Sequence, residues 1–297
     1  MSLAGRFLGL LKDPPPALAF EISEAGIAVA RLGAHAELGF RALKPGTIVV
    51  SPIKDNVVDT GELAETVRAA AGGAVSRKRR DVALILPDYC ARTAVLDFDS
   101  FPSDPKEQLS LVRFRVKRSV PFDVDSAAVS YFPQPAGNKK FDVVVVLAPL
   151  EIVARYEAPF RAAGMTPGFV TTSSIAALEL VPEAGLGVVA KLSGRVLTVL
   201  VIEKSVLKLV RCLELPSAEL ADVSGYLFPT FVYVEDNLGA RAEKLMLCGF
   251  GSETDAARRR FQDELGIAVE PLASPHGPPG ENNAGLLGYL RSIARNN

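Results

Sequence analysis

Hydrophobic and polar positions follow the same order twice along this chain. Residues 17–43 hold three short apolar runs, Ala17-Leu-Ala-Phe-Glu-Ile22, Ile27-Ala-Val-Ala-Arg-Leu32 and 36–43, with breaks at 23–26 and Gly33. Residues 187–213 hold three more, Gly187-Val-Val-Ala-Lys-Leu192, Arg195-Val-Leu-Thr-Val-Leu-Val-Ile202 and 206–213, with breaks at Ser193-Gly194 and 203–205. Short apolar runs joined by turns of two to four residues predict an antiparallel meander. A meander written twice, half a chain apart, predicts a fold of two related halves.

Helical periods follow each meander. Residues 59–71 place Leu63, Val67 and Ala70 on one face, and Gly72-Gly73 end the run. Residues 103–120 carry the fullest helix signals: Asp104 as cap, Pro105 in the first turn and Glu107 at the third position, with Arg113, Arg115, Lys117 and Arg118 near the end. Further helices are predicted at 150–163, 173–180, 254–265 and 284–294, and strands at 81–86, 142–148, 244–248 and 267–272. Antiparallel meanders continued by strand–helix units predict an α/β class with mixed sheets.

Composition narrows the chemistry. Among 297 residues, 48% are hydrophobic, enough for a sizeable core, and the net charge of −1 selects neither nucleic acid nor anionic lipid. The run Arg77-Lys-Arg-Arg80 reads as a solvated loop. Cys90, Cys212 and Cys248 have no paired spacing, which argues against a disulfide framework or zinc site and fits a reducing compartment. His35 and His276 fall in turn and loop contexts, with no Ser/His/acid set around them. Asp97, Asp99, Asp123 and Asp125 read as solvated carboxylates at strand edges and turns. No apolar stretch reaches the roughly 20 residues that span a bilayer. Residues 1–12 lack the features of a signal peptide, so a cytoplasmic location is expected. Their Leu3, Phe7, Leu10 and Leu11 lie at helical spacing, ahead of Pro14-Pro15-Pro16. They read as a loosely packed tail, or as a weak membrane or partner contact.

The order and spacing of several segments resemble the PilM family of type IV pilus assembly proteins, within the actin-like superfamily, and the related cell-division protein FtsA. The segments are Phe7-Leu-Gly-Leu-Leu-Lys12, Lys44-Pro-Gly-Thr-Ile-Val49, Val82-Ala-Leu-Ile-Leu-Pro87, Arg118-Ser-Val-Pro-Phe122 and Val143-Val-Val-Val-Leu-Ala148. Tyr156, Ala163-Gly-Met-Thr-Pro167, Thr172-Ser-Ser-Ile-Ala-Ala-Leu178, Leu247-Cys-Gly249 and Gly285-Leu-Leu-Gly288 complete the set. The resemblance implies an actin-like fold with an N-terminal tail over 1–16. A first half would cover 17–91 and 165–183, with a small subdomain inserted at 92–164. A second half would cover 184–297, its own insertion cut down to about 214–242. It further implies a cytoplasmic scaffold, peripheral to the inner membrane, that binds the short cytoplasmic tail of a bitopic, PilN-like partner in a groove near the inserted subdomain. Other pilus platform components would be further partners; nucleic acid would not.

Such a fold binds nucleotide between its halves through two Asp-x-Gly turns. The glycine lets backbone amides approach phosphate, and the acid helps to hold hydrated magnesium. Here the turns read Glu21-Ile22-Ser23 and Lys191-Leu192-Ser193. Both glycines are serines, and one acid is a lysine. Gly26 and Gly194 nearby suit hairpin turns. After the late strand the family's Gly-Gly pair reads Gly249-Phe250, which puts a ring where a purine would lie. The resemblance therefore implies a pseudo-ATPase that needs no cofactor. Two rivals stay open. One is an active ATPase or kinase whose ATP–magnesium contacts have moved to Ser23, Lys191 and Ser193. The other is an FtsA-like filament protein tethered to membrane by residues 1–12.

Overall fold

A computed structural model describes residues 15–33, 35–51, 55–72, 80–135, 140–182 and 185–296. Residues 1–12, their proposed tail contact and the basic run up to Arg79 lie outside the described residues.

Both meanders form, and each seeds a five-stranded sheet. In the first sheet the order is β3-β2-β1-β4-β8, from β1 (Leu18–Ile22), β2 (Gly26–Leu32), β3 (Ala36–Ala42), β4 (Arg80–Leu86) and β8 (Met165–Thr172). The second runs β11-β10-β9-β12-β13, from β9 (Leu186–Ser193), β10 (Val196–Glu203), β11 (Val206–Glu214), β12 (Lys244–Cys248) and β13 (Ala268–Pro271). In each sheet the meander is antiparallel, and its first strand pairs parallel with a later one. The two sheets therefore share one topology.

Helices cover the outer faces. On the first sheet, α1 (Thr60–Ala70) and α3 (Leu150–Ala162) bury Leu63, Val67, Ile152, Tyr156 and Phe160 against Phe20, Val82 and Leu84. On the second, α5 (Leu220–Leu238) and α6 (Thr254–Leu265) bury Val223, Leu227 and Phe261 against Val188, Val199 and Leu245. One helix, α5, fills the interval where the sequence left room for a helix and a strand. Asp59 caps α1 through the Glu62 amide at 2.9 Å. The 103–120 helix is shorter than its signals, running as α2 (Pro105–Val116), with Asp104 accepting from the Lys106 and Glu107 amides.

A third, all-antiparallel sheet, β5-β7-β6, is built from β5 (Arg92–Phe98), β6 (Ala127–Pro135) and β7 (Phe141–Pro149). With α2 it has its own core of Phe98, Val112, Val116, Val143, Val145 and Leu147. Helix α3 falls inside the 92–164 span but packs on the first sheet, so this separate layer ends at Pro149. Strands β5 and β8 had no signal in the hydrophobic pattern. Apart from Phe98, β5 is at best half-buried, and β8 opens with Thr166, Pro167 and Gly168. Gln134 ties the layer to the second half. Its amide donates to the Leu207 carbonyl at 3.0 Å and accepts from the Leu207 N–H at 2.9 Å, as a strand's backbone would. Lys208 and Asp142 add an ion pair at 2.8 Å.

Between the two sheets lie α4 (Ser173–Ala177) and α7 (Ala284–Asn296), in one core that takes Ala19, Ala28, Ala30 and Ala83 from the first sheet and Val189, Leu200 and Met246 from the second. Small side chains on the first sheet admit the helices closely. A Cβ on Gly288 would fall 2.1 Å from the Ala176 carbonyl oxygen, and one on Gly285 within 2.7 Å of Ile85. Close packing of this kind gives way only at the expense of backbone shifts. Gly288→Ala is therefore expected to lower stability by about 1–3 kcal/mol, read as a drop in the urea midpoint. An unchanged midpoint would mean that α7 is not held against α4.

Candidate functional site

The carboxyl ends of β1, β4 and β9 meet between the halves, and there the described residues build a buried polar cluster. Glu21 on β1 and Lys191 on β9 occupy matching places in the two meanders, opposite Ala28 and Thr198 respectively. Both are buried, at 2% and 3% exposure.

Asp88, in the 3-10 turn Asp88–Cys90 just after β4, is the hub. Lys191 Nζ reaches its Oδ2 at 3.0 Å, and the Thr198 hydroxyl donates to the same oxygen at 2.9 Å. The Ser174 N–H donates to Oδ1 at 2.7 Å. Burial by itself pushes Asp88 up, but the Lys191 ammonium and the Ser174 amide outweigh it and hold the carboxyl below its ordinary value. Burial pushes Lys191 down, and the Asp88 and Glu21 carboxylates more than reverse that. Asp88 and Lys191 are thus a charged pair whose carboxylate accepts three hydrogen bonds. The pair joins residues 103 positions apart across the two halves.

Glu21 faces the other way. The Ser173 hydroxyl donates to its Oε1, and the Leu286 N–H donates to Oε2 at 2.7 Å. The carboxylate so placed meets the first turn of α7, where free helix amides and the macrodipole favour negative charge. Burial dominates its titration and raises it, with Lys191 opposing.

The remaining residues singled out in the sequence lie in turns or in the core. Ser23 Oγ donates to the Gly26 carbonyl at 3.1 Å and accepts from the Gly26 N–H at 3.2 Å, while its own N–H bonds the same carbonyl at 2.9 Å. Gly26 has no room for a side chain, since a Cβ would sit 2.3 Å from the Arg41 carbonyl oxygen. Ser193 ends β9 and is followed by Gly194 at φ +55° in the β9–β10 turn. Gly249 has φ +81°, its N–H donates to the Pro279 carbonyl at 3.3 Å, and a Cβ would collide with the Leu192 carbonyl oxygen. Phe250 is placed differently from expectation. Its ring turns into the second-half core, edge-on to Phe261 at 6.0 Å, past the left-handed turn at Gly249 that follows β12.

The cluster thus gathers Glu21 and Lys191. It leaves Ser23, Ser193 and Gly249 in turns and Phe250 in the core, and it adds Asp88, Thr198, Ser173 and Ser174. Sequence reasoning passed over Asp88. Its one signal was an acid directly after the carboxyl end of a strand, where open α/β sheets place ligand groups. The amides of Ser23, Gly249 and Ser174, which might have faced a phosphate, already donate within the protein. Burial pushes the thiols of Cys90, Cys212 and Cys248 up to about 12, which makes them poor nucleophiles. No group of three or more metal-ligating side chains occurs among the described residues, and no described helix is long and apolar enough to cross a membrane.

Beside the cluster lies a cavity of about 350 Å³. Asp88, Tyr89 and Ser174 come from the first half; Arg92, Thr93, Pro121 and Phe122 from the three-stranded layer; Val196, Thr198, Val210 and Cys212 from the second half.

These features were compared with known proteins. No family model matches the chain, and no curated protein matches its sequence. Solved structures do match its fold. A structure described as a PilM–PilN type IV pilus biogenesis complex aligns over 95% of this chain and 99% of that one, at 19% identity and a TM-score of 0.77. A protein of unknown function with an actin-like ATPase fold, from Bacteroides thetaiotaomicron, aligns over 93% and 96%, at 12% identity and a TM-score of 0.58. The chain has the actin-like ATPase fold, and the fold resembles that of the PilM–PilN structure along nearly its whole length.

Removing Lys191 alone would strand the Asp88 charge in the interior. Lys191→Met is expected to cost about 3–5 kcal/mol, whereas Lys191→Met combined with Asp88→Leu should recover most of it. Equilibrium unfolding of the three proteins checks this, and a double variant no better than the single one would refute the pairing. The pH dependence has a definite sign. With its carboxyl depressed, Asp88 contributes stability that is present above its unfolded value near 4 and lost as pH falls through the folded value. Lys191 is raised, so its share is present below the ordinary lysine value and lost at higher pH. The stability gap between wild type and Asp88→Asn should therefore be widest near neutrality and shrink below about pH 4. A gap that stays constant in acid would contradict the assignment.

Proposed function

We propose that this protein is a scaffold on the cytoplasmic side of a type IV pilus or related secretion platform. Peripheral to the inner membrane, it binds the short cytoplasmic tail of a bitopic, PilN-like partner and does not turn over ATP. The observation that carries the reading is the Asp88–Lys191 pair. In a fold whose members place nucleotide between two halves, this chain places a neutralised ion pair there, its carboxylate bonded also by the Ser174 amide and the Thr198 hydroxyl. A lysine held by Asp88 is not available to a phosphate, and the amides of Ser23 and Gly249 donate internally. Support for the platform role is the resemblance to the PilM–PilN structure, which contributes the fold and suggests the kind of partner.

The cavity beside the cluster is the proposed seat for the tail. Three parts of the fold line it, with apolar side chains such as Phe122, Val196 and Val210 set among polar ones such as Arg92, Thr93 and Thr198. This combination suits a short peptide segment with one or two apolar anchors. Strand β5 is an edge of the three-stranded sheet that lies against β11, and it supplies Arg92 and Thr93 to the wall.

The test is calorimetric titration of the full chain with the N-terminal tail peptide of a bitopic, PilN-like membrane protein from the same organism, with and without ATP and magnesium. The expected dissociation constant is the same in both, and Phe122→Asp should weaken it at least tenfold. A tenfold change on adding ATP, or ATP turnover that Lys191→Ala abolishes, would favour an active nucleotide site instead.

A further inference from the structure

Strand β3 is the outer edge of the first sheet, and every residue after Ala36 in it is exposed. Two of them, Leu38 at 44% and Phe40 at 43%, are among the large exposed hydrophobics of the protein. They line a groove of about 430 Å³ with Ala28, Leu286 and the loop at 280–283. On the opposite face of the strand stand Glu37 and Arg41, and neither has an ion-pair partner among the described residues.

The backbone decides which groups point outward. The Leu43 N–H bonds the Ala25 carbonyl at 3.0 Å, and the β2–β3 register sets Ile27 against Arg41, Val29 against Gly39 and Arg31 against Glu37. Odd-numbered residues of β3 thus direct their N–H and C=O groups to β2, and Ala36, Leu38, Phe40 and Ala42 direct theirs to the free edge. Arg41 Nη1 donates to the outward Phe40 carbonyl at 3.3 Å.

The sequence of this edge, Ala36-Glu-Leu-Gly-Phe-Arg-Ala42, is complementary to itself when read backwards. Lay two copies antiparallel with the twofold axis at Gly39. Ala36 then opposes Ala42, Glu37 opposes Arg41, Leu38 opposes Phe40, and Gly39 meets its own copy. In this register the outward-bonding residues face one another and form narrow hydrogen-bonded pairs. Glu37 and Arg41 fall at non-bonded pairs, where cross-strand side chains come closest. A register displaced by one residue would match outward groups with inward ones and lose the ladder.

We propose that β3 is a self-association edge: two copies of this chain pair β3 to β3 about Gly39 and join their first sheets into one of ten strands, twice the five in each. Charges on an edge strand commonly serve to prevent pairing. Here the two charges are of opposite sign and sit equidistant from the axis, so pairing brings each against its complement. The Arg41 guanidinium leaves its own Phe40 carbonyl for the Glu37 carboxylate of the other copy, and the freed carbonyl accepts from the other strand. Each Phe40 ring comes to lie beside the other copy's Leu38 along the groove. One seven-residue strand makes a small interface, so the dimer is of micromolar rather than nanomolar strength.

Sedimentation velocity on the full chain across a concentration series tests this. Wild type should pass from monomer to dimer. Glu37→Arg and Arg41→Glu each put like charges opposite one another at both ends of the ladder, and each should weaken the dimer about tenfold or more. An equimolar mixture of the two single variants faces every arginine with a glutamate, and so should form a heterodimer of wild-type strength. The double variant Glu37→Arg/Arg41→Glu should likewise regain the homodimer. A wild-type chain that stays monomeric throughout would overturn the proposal. So would single variants that dimerise like wild type, or a mixture that remains monomeric.

Discussion

The buried pair between Asp88 and Lys191 is the interaction around which the two halves are organised. It lies where the strand ends of both sheets converge, and each charge depends on the other to remain ionised away from water. Either charge alone would be pushed toward neutrality by burial. Together, with the Thr198 hydroxyl and Ser174 amide completing the carboxylate's bonds, they keep their charges, and their directions of titration agree. Separating the halves would expose both charges and break the bonds from β10 to Asp88 and from α7 to Glu21 as well. A buried carboxylate bonded on both oxygens in this way favours a single closed arrangement.

Duplication explains how such a pair could arise. Glu21 and Lys191 are the same position in two copies of one meander, so the fold brings them to the same cleft from opposite sides. In this chain the two have diverged in sign. Glu21 meets the first turn of α7, and Lys191 meets the loop after β4. Each half thereby contributes one charged group that fastens a neighbouring element. The cluster is a joint between the halves, and the cavity shared with the three-stranded layer lies beside it. Gln134 and Lys208 fix that layer to the edge of the second sheet, so the cavity walls are held from three directions.

Much of this was legible in the sequence, and the reason is local. Alternation over five to eight residues, a cap such as Asp104, or a terminating glycine such as Gly266 acts within a few positions of itself, so the pattern located the meanders and most helices. Signals failed where burial was partial, as in β5, or where strand residues looked like a loop, as at Thr166-Pro-Gly168. At the site, the serines and the lysine of the two turns were legible as departures from a phosphate-binding pattern. The direction of the Phe250 ring was not, because it is set by the left-handed turn at Gly249 just past the end of β12.

The sequence by itself determined that there are two meanders, that their turns carry Ser23, Lys191 and Ser193 in place of a phosphate-binding set, and that the class is α/β. Only the tertiary structure decided what those residues touch. The hydroxyl of Ser173 reaches Glu21 across 152 positions, and the amide of Leu286 reaches it across 265. No local pattern encodes contacts of that range. They follow from the topology of two sheets whose strand ends converge, and from the requirement that a charge taken out of water must find its partner wherever the chain has brought one.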